Sequence, residues 1–73
     1  MKELDMSLME KRFGTIAVEK AFINRDQLLE AMRIQVNENI AGKDHMPIGS
    51  ILMKLNYVTE TQVNEVLLSL RRE

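Results

Sequence analysis

The chain contains one pairing of an acid with an imidazole, Asp44 next to its single histidine, His45. Nucleophilic hydrolysis needs a nucleophile, a base and a third group that orients the base, and no such third group is indicated. The sequence has no HExxH and no P-loop pattern, and one histidine without cysteine cannot supply the usual zinc ligands. We therefore predict no enzymatic activity, no metal and no cofactor, and we interpret Asp44 and His45 as part of a polar linker.

A second group, Arg12, Gly14 and Gln35, has the residue types that bind anions. If a helix begins near Arg12, its unpaired backbone N–H groups can receive an anion, and Gly14 lets a ligand approach the backbone closely. The Arg12 guanidinium can fork onto a phosphate or stack on a base, and Gln35 on the following helix can offer its amide. The alternative interpretation is a glycine that permits close helix crossing, with Arg12 solvated and Gln35 at a boundary.

Six methionines are typical of an adaptable apolar surface. Met32 and Met53 fall on or near apolar stripes, which favours the core. Met6, Met9 and Met46 are the better candidates for exposure, where they would form a docking patch or a dimer seam.

Two helix starts have clear signals. Asn24 and Thr59 are good N-caps, and each is followed three residues later by a glutamine, Gln27 or Gln62, as in a capping box. Apolar residues at helical spacing extend the first of these helices over about 25–41.

The helix ends are also marked in the sequence. Gly42 is a natural stop in the left-handed conformation, and Pro47 fits the first turn of the next helix. The N-terminal part permits two interpretations. One helix runs from about Leu4 to Lys20, or a break near Arg12 places Gly14 at a helix start, because an interior glycine costs about 1 kcal/mol.

The second half of the chain repeats the first at an offset of 35 residues. Gly14 falls on Gly49, and the caps Asn24 and Thr59 coincide. Matching caps and glycines indicate that helices start and pack at the same places in the two halves. We therefore predict an all-α fold, in which two tandem helix-turn-helix units of period 35 form a small four-helix bundle about a pseudo-twofold axis, with or without an extra N-terminal helix.

The predicted organisation is a single domain, residues 1–73. It divides into an N-terminal helical arm (1–11), a first helical hairpin (12–41), a linker (42–46) and a second helical hairpin (47–72).

Composition limits the classes of function. The chain is 45% hydrophobic and 29% charged with a net charge of −1, and it has no basic face of the kind that nucleic acids require. No apolar run approaches the roughly 20 residues of a membrane span, and no signal peptide is indicated. Without cysteine the chain suits a reducing compartment, so we expect a cytoplasmic protein that binds no nucleic acid and does not span the membrane.

The first half resembles the motif of the MshEN domain, the N-terminal domain of type II secretion and type IV pilus assembly ATPases, in which two tandem copies bind cyclic di-GMP. Eight motif positions are occupied by Arg12, Phe13, Gly14, Ala17, Ala21, Leu28, Met32 and Gln35. The resemblance implies the helical-hairpin fold, and it implies ligand contacts from Arg12, Phe13, Gly14 and Gln35. In the second copy Pro47 replaces the arginine, Asn56 a glycine and Leu70 the glutamine.

From these observations we expect a non-enzymatic interaction or adaptor module that docks a protein partner, such as secretion or pilus machinery, through an apolar groove or a Met-rich edge. The alternative is a cyclic di-GMP sensor that uses the first motif copy. A homodimer would present two intact first-copy half-sites.

Overall fold

The computed structural model describes the backbone of residues 2–72 and the side chains of residues 10–72. Over this part the chain forms four helices and no strand, with the bounds α1 Lys2–Glu19, α2 Arg25–Ile40, α3 Ile48–Lys54 and α4 Glu60–Arg72. The prediction of a small all-α bundle is confirmed.

The first helix, α1, continues through Gly14 without a break. Residues 2–11 are therefore the first part of α1 rather than an extra helix, and the interpretation that placed a helix start near Arg12 is wrong. A Cβ atom on Gly14 would lie 2.7 Å from Cδ1 of Leu28, so the glycine allows α2 to approach α1 closely. The cost of an interior glycine is offset by this packing, and the backbone there lacks the free N–H groups of a helix start.

The turns that follow α1 and α3 have the same backbone conformation. Ala21 and Asn56 both have φ of 65°, in the left-handed region. In each turn the next backbone N–H closes the helix end: Phe22 N donates to Ala17 O and Tyr57 N donates to Leu52 O, both at 3.0 Å. This is the six-to-one hydrogen bond of a Schellman motif.

Both predicted capping boxes are present. The backbone N–H of Gln27 donates to Oδ1 of Asn24 at 2.8 Å, and the backbone N–H of Asn24 donates to Oε1 of Gln27 at 2.9 Å. Thr59 and Gln62 make the same reciprocal pair at 2.9 and 3.1 Å. These bonds satisfy backbone donors that a helix start leaves unpaired.

The ends around the linker differ slightly from expectation. Helix α2 ends at Ile40, and Gly42 has φ of +83°, as predicted for a left-handed stop. Pro47 is the N-cap of α3, one residue before the first turn, with an extended backbone. Its fixed φ suits this position as well as the first turn, and a residue without an N–H loses nothing there.

The core is built from matched positions of the two halves. Among the described side chains, each half contributes five buried apolar residues, and every one in the first half has a buried counterpart 35 residues later. These residues are Phe13, Ile16, Ala17, Ile23 and Ala31, with Ile48, Ile51, Leu52, Val58 and Val66.

Each helix packs most extensively on a helix of the other half. Helix α1 packs most extensively on α4, and α2 packs most extensively on α3, while α1 also crosses α3. Each half therefore covers the apolar face that the other cannot bury alone, as a pseudo-twofold arrangement requires.

Candidate functional site

An open groove of about 320 Å³ lies between α1, the start of α3 and one side of α4. We call it the α4 groove. Most of its lining is apolar, and the residues are Glu10, Phe13, Pro47, Ile48, Gly49, Ser50, Val63, Leu67 and Leu70.

The α4 groove exists because the two halves differ where their side chains fill the space beside the helix crossing. In the first half, Leu28 lies directly over Gly14. Its counterpart in the second half, 35 residues later, is Val63, which is one carbon shorter. Gly49 is instead approached by the ring of Phe13, whose Cζ atom would lie 2.9 Å from an added Cβ. Phe13 therefore takes the place over Gly49 that Leu28 takes over Gly14, and the shorter Val63 leaves room beside it and lines the groove.

A polar network, the Glu10 network, joins α1 to α2 and to the linker at one edge of the groove. The side-chain amide of Gln35 donates to Oε1 of Glu10, and it also donates to the carbonyl oxygen of Met46 at 2.8 Å. The Nε2 atom of His45 lies 2.8 Å from Oε2 of Glu10. The second-half counterpart of Gln35 is Leu70, which has no amide to offer and lines the groove instead.

The Glu10 network fixes the linker to the bundle. Glu10 lies on α1 with 19% of its side chain exposed, and its two carboxylate oxygens take one donor from α2 and one from the linker. The sequence paired His45 with Asp44, but in the structure the imidazole contacts Glu10, and Asp44 is exposed. Among the described residues no hydroxyl side chain hydrogen-bonds to His45, so no nucleophile is aligned with it.

The predicted ligand residues of the first motif copy lie in different environments. Arg12 is exposed on α1, beside a shallow depression that it lines with Thr15, Ile16 and Glu19. Phe13 is 6% exposed and belongs to the core. Gly14 is covered by Leu28, and the Gln35 amide is bound within the Glu10 network.

The resemblance implies cyclic di-GMP binding by these four residues, but the burial of Phe13 and the hydrogen bonds of the Gln35 amide weigh against it. The four corresponding residues of the second copy are brought together, because all of them line the α4 groove: Pro47, Ile48, Gly49 and Leu70. The second copy, which departs from the motif, therefore contributes apolar surface to the groove.

The methionines pack more than the sequence suggested. Met46, expected to be exposed, is half-buried and packs against the core, as Met32 and Met53 do. The side chains of Met6 and Met9 lie outside the described residues. Among the side chains of residues 10–72, the large exposed apolar residues are leucine, valine and isoleucine rather than methionine.

Sequence reasoning did not identify three contributors to this region: Glu10, Val63 and Leu67. The signal available for Val63 was its smaller size at the position equivalent to Leu28. The signal for Leu67 was its helical spacing, four residues after Val63. Glu10 gave no signal, because its partner Gln35 is distant in sequence.

Two further properties of the chain bear on the site. In the part of the chain that the structure describes, no group of three or more His, Cys, Asp or Glu side chains is placed to hold a metal ion. Across residues 2–72, no helix has both the length and the apolar character needed to cross a membrane.

Comparison of the chain with protein-family models, with curated proteins and with solved structures found no match, so the resemblance to the MshEN domain rests on the motif residues alone.

Proposed function

We propose that this protein is a small, non-enzymatic interaction module of the cytoplasm, which docks an apolar segment of a protein partner in the α4 groove. The observation that carries the proposal is the groove, about 320 Å³ in volume and walled mainly by apolar side chains. By the motif resemblance, we expect the partner to belong to secretion or pilus machinery.

The size of the groove limits what it can bind. Ligand pockets in proteins span about 300–1,000 Å³, so this groove lies at the small end. It suits one or two large apolar side chains of a partner segment rather than a whole domain. Anchors of this kind supply most of the binding energy when they are fully desolvated, while the surrounding contacts exclude water.

The polar atoms of the groove favour the same interpretation. Glu10 is its one charged lining residue among those described, and both of its carboxylate oxygens already have donors within the chain. The carboxylate is therefore oriented by the chain itself, although each of its oxygens can still accept one further hydrogen bond. Removal of apolar area from water, at about 25 cal/mol per Å², would be the main source of affinity.

Leu67 offers a direct test, because a matched control lies beside it. Leu67 lines the groove and is 46% exposed, and the adjacent Leu68 is 49% exposed on α4 outside the groove. The wild-type chain, Leu67→Arg and Leu68→Arg would each be immobilised to capture proteins from the source cell. The captured partner would then be purified and titrated against all three chains by calorimetry.

We expect Leu67→Arg to weaken the affinity at least tenfold and Leu68→Arg to leave it unchanged, because only the former places a charge in the apolar groove. Circular dichroism would establish that both variants remain helical. Equal binding by all three chains would show that the partner docks elsewhere, and the proposal would then be abandoned.

A further inference from the structure

Helix α2 has a second apolar face that no other part of the described chain covers. Leu29, Val36 and Ile40 are 49%, 52% and 79% exposed. Their spacing of seven and then four residues places them on one side of the helix, and we call them the outer stripe of α2. The other side of α2 carries Ala31, which is fully buried in the core.

We propose that the outer stripe of α2 pairs with the outer stripe of a second copy of this chain, with the two helices antiparallel. A twofold interface requires a surface that is complementary to itself. Arg33 lies within the outer stripe. The steps from Leu29 through Arg33 and Val36 to Ile40 are four, three and four residues. This spacing is the same in both directions along the helix.

This symmetry fixes the register of the pair. A twofold axis level with the midpoint between residues 34 and 35 places Leu29 opposite Ile40 of the second copy. It places Arg33 opposite Val36 of the second copy, where the methylene groups of the arginine can cover the valine while the guanidinium reaches water. Heptad-like spacing of this kind allows side chains of two helices to interdigitate.

The charges favour the antiparallel orientation over the parallel one. Parallel pairing in register would place Arg33 against Arg33 of the second copy, a like-charge contact. Antiparallel pairing instead brings the start of α2, where Asp26 is exposed, near the end of the second α2, where Lys43 is exposed. The helix dipoles also oppose one another in this orientation, which is the more favourable arrangement.

The area available points to a weak dimer in fast exchange. A single pair of 16-residue helices provides less than the roughly 1,200–2,000 Å² that stable interfaces bury. No residue of α2 lines the α4 groove, so the dimer leaves both grooves open. The inference therefore stands independently of the proposed function.

Sedimentation velocity over a dilution series tests the dimer. We expect the wild-type sedimentation coefficient to rise with concentration into the millimolar range, and we expect this rise to be lost in Val36→Glu. Leu68→Glu is the control, because it changes a residue of similar exposure on α4 and should sediment as the wild type does. A wild-type chain that remains monomeric throughout the series would overturn the proposal, as would a Val36→Glu chain that still associates.

Disulfide trapping tests the register, since the chain has no cysteine of its own. Leu29→Cys and Ile40→Cys chains would be mixed in equal amounts with oxidised glutathione. Antiparallel pairing predicts that the disulfide joining the two different variants predominates over either homodisulfide. Predominance of the homodisulfides would overturn the antiparallel register.

Discussion

Ala21 and Asn56 hold the same left-handed backbone conformation, with φ of 65° at each, at equivalent positions of the two halves. Asparagine tolerates this conformation better than other residues with a side chain, whereas alanine gains nothing from it. The first half therefore carries a local strain that the second half reduces.

Ala21→Gly should stabilise the protein, because a left-handed alanine costs about 1–2 kcal/mol and glycine removes this cost. The greater freedom of glycine in the unfolded chain subtracts part of the gain, which leaves up to about 1 kcal/mol. For a domain of this size the full gain of about 1 kcal/mol would raise Tm by about 4–8 °C, and a smaller gain proportionally less, which thermal circular dichroism measures. Asn56→Gly is the matched control and should gain less; a larger gain at Asn56 would contradict the strain assigned to Ala21.

The two packed glycines should respond differently to alanine. At Gly49 the added Cβ would lie 2.9 Å from Cζ of Phe13, whose ring is buried and has little room to move. We expect Gly49→Ala to lower the free energy of unfolding by about 1–3 kcal/mol, as overpacking does. Urea denaturation measures this directly.

At Gly14 the same substitution should be milder, within about 1 kcal/mol of wild type. The atom it meets, Cδ1 of Leu28, belongs to a half-buried side chain that can change rotamer, and alanine regains about 1 kcal/mol of helix propensity in the interior of α1. If Gly14→Ala proves more destabilising than Gly49→Ala, the Leu28 side chain does not change rotamer and the close approach of α1 and α2 is rigid.

Tyr57 should give the protein a pH-dependent stability above neutrality. Its hydroxyl donates to Oε1 of Glu30 at 2.6 Å, and this hydrogen bond, then desolvation and the nearby negative charge, raise the pKa of Tyr57. The stabilisation is complete below the ordinary tyrosine pKa of about 10 and is lost as the pH rises from there through the raised pKa of the folded protein.

The chain has one tyrosine, so its ultraviolet absorbance titration reports Tyr57 alone. We expect Glu30→Gln to lower this pKa toward the ordinary value, and we expect the Tm of the wild type to fall more steeply with alkaline pH than the Tm of Tyr57→Phe. Parallel curves for the wild type and Tyr57→Phe would show that the hydrogen bond does not contribute in solution.

Cyclic di-GMP is expected to give no saturable heat in a calorimetric titration at millimolar concentration. Leu28 covers Gly14, and the Gln35 amide already donates to Glu10 and to the Met46 carbonyl. The control is Arg12→Ala. Saturable binding to the wild type that this variant abolished would contradict the expectation and would favour the sensor function.

The parts of the fold that the sequence predicted are those set by local bonding. Asn24 and Thr59 cap their helices through bonds to residues three positions away, so type and spacing sufficed. Gly14 led to the wrong alternative, because its propensity argues for a break, whereas its packing against Leu28 favours a continuous helix. At Gly14, tertiary packing therefore outweighs local helix propensity.

The site was less predictable, because a groove is a volume that several side chains leave unfilled. That space depends on the difference between Leu28 and Val63 and on the place of Leu70 relative to the Glu10 network. Leu70 departs from the motif in the sequence, but the effect of this departure depends on the helices that pack around it.

The matched core has a consequence for the linker. Because each buried position of one half has its counterpart in the other, the molecule is in effect two associating fragments joined by one covalent connection. A connection of this kind sets the effective concentration of each fragment for the other, typically millimolar for a short flexible segment. Cleaved between Lys43 and Asp44, the halves would still recognise each other, but the midpoint of unfolding would fall on dilution, as it does for any bimolecular complex.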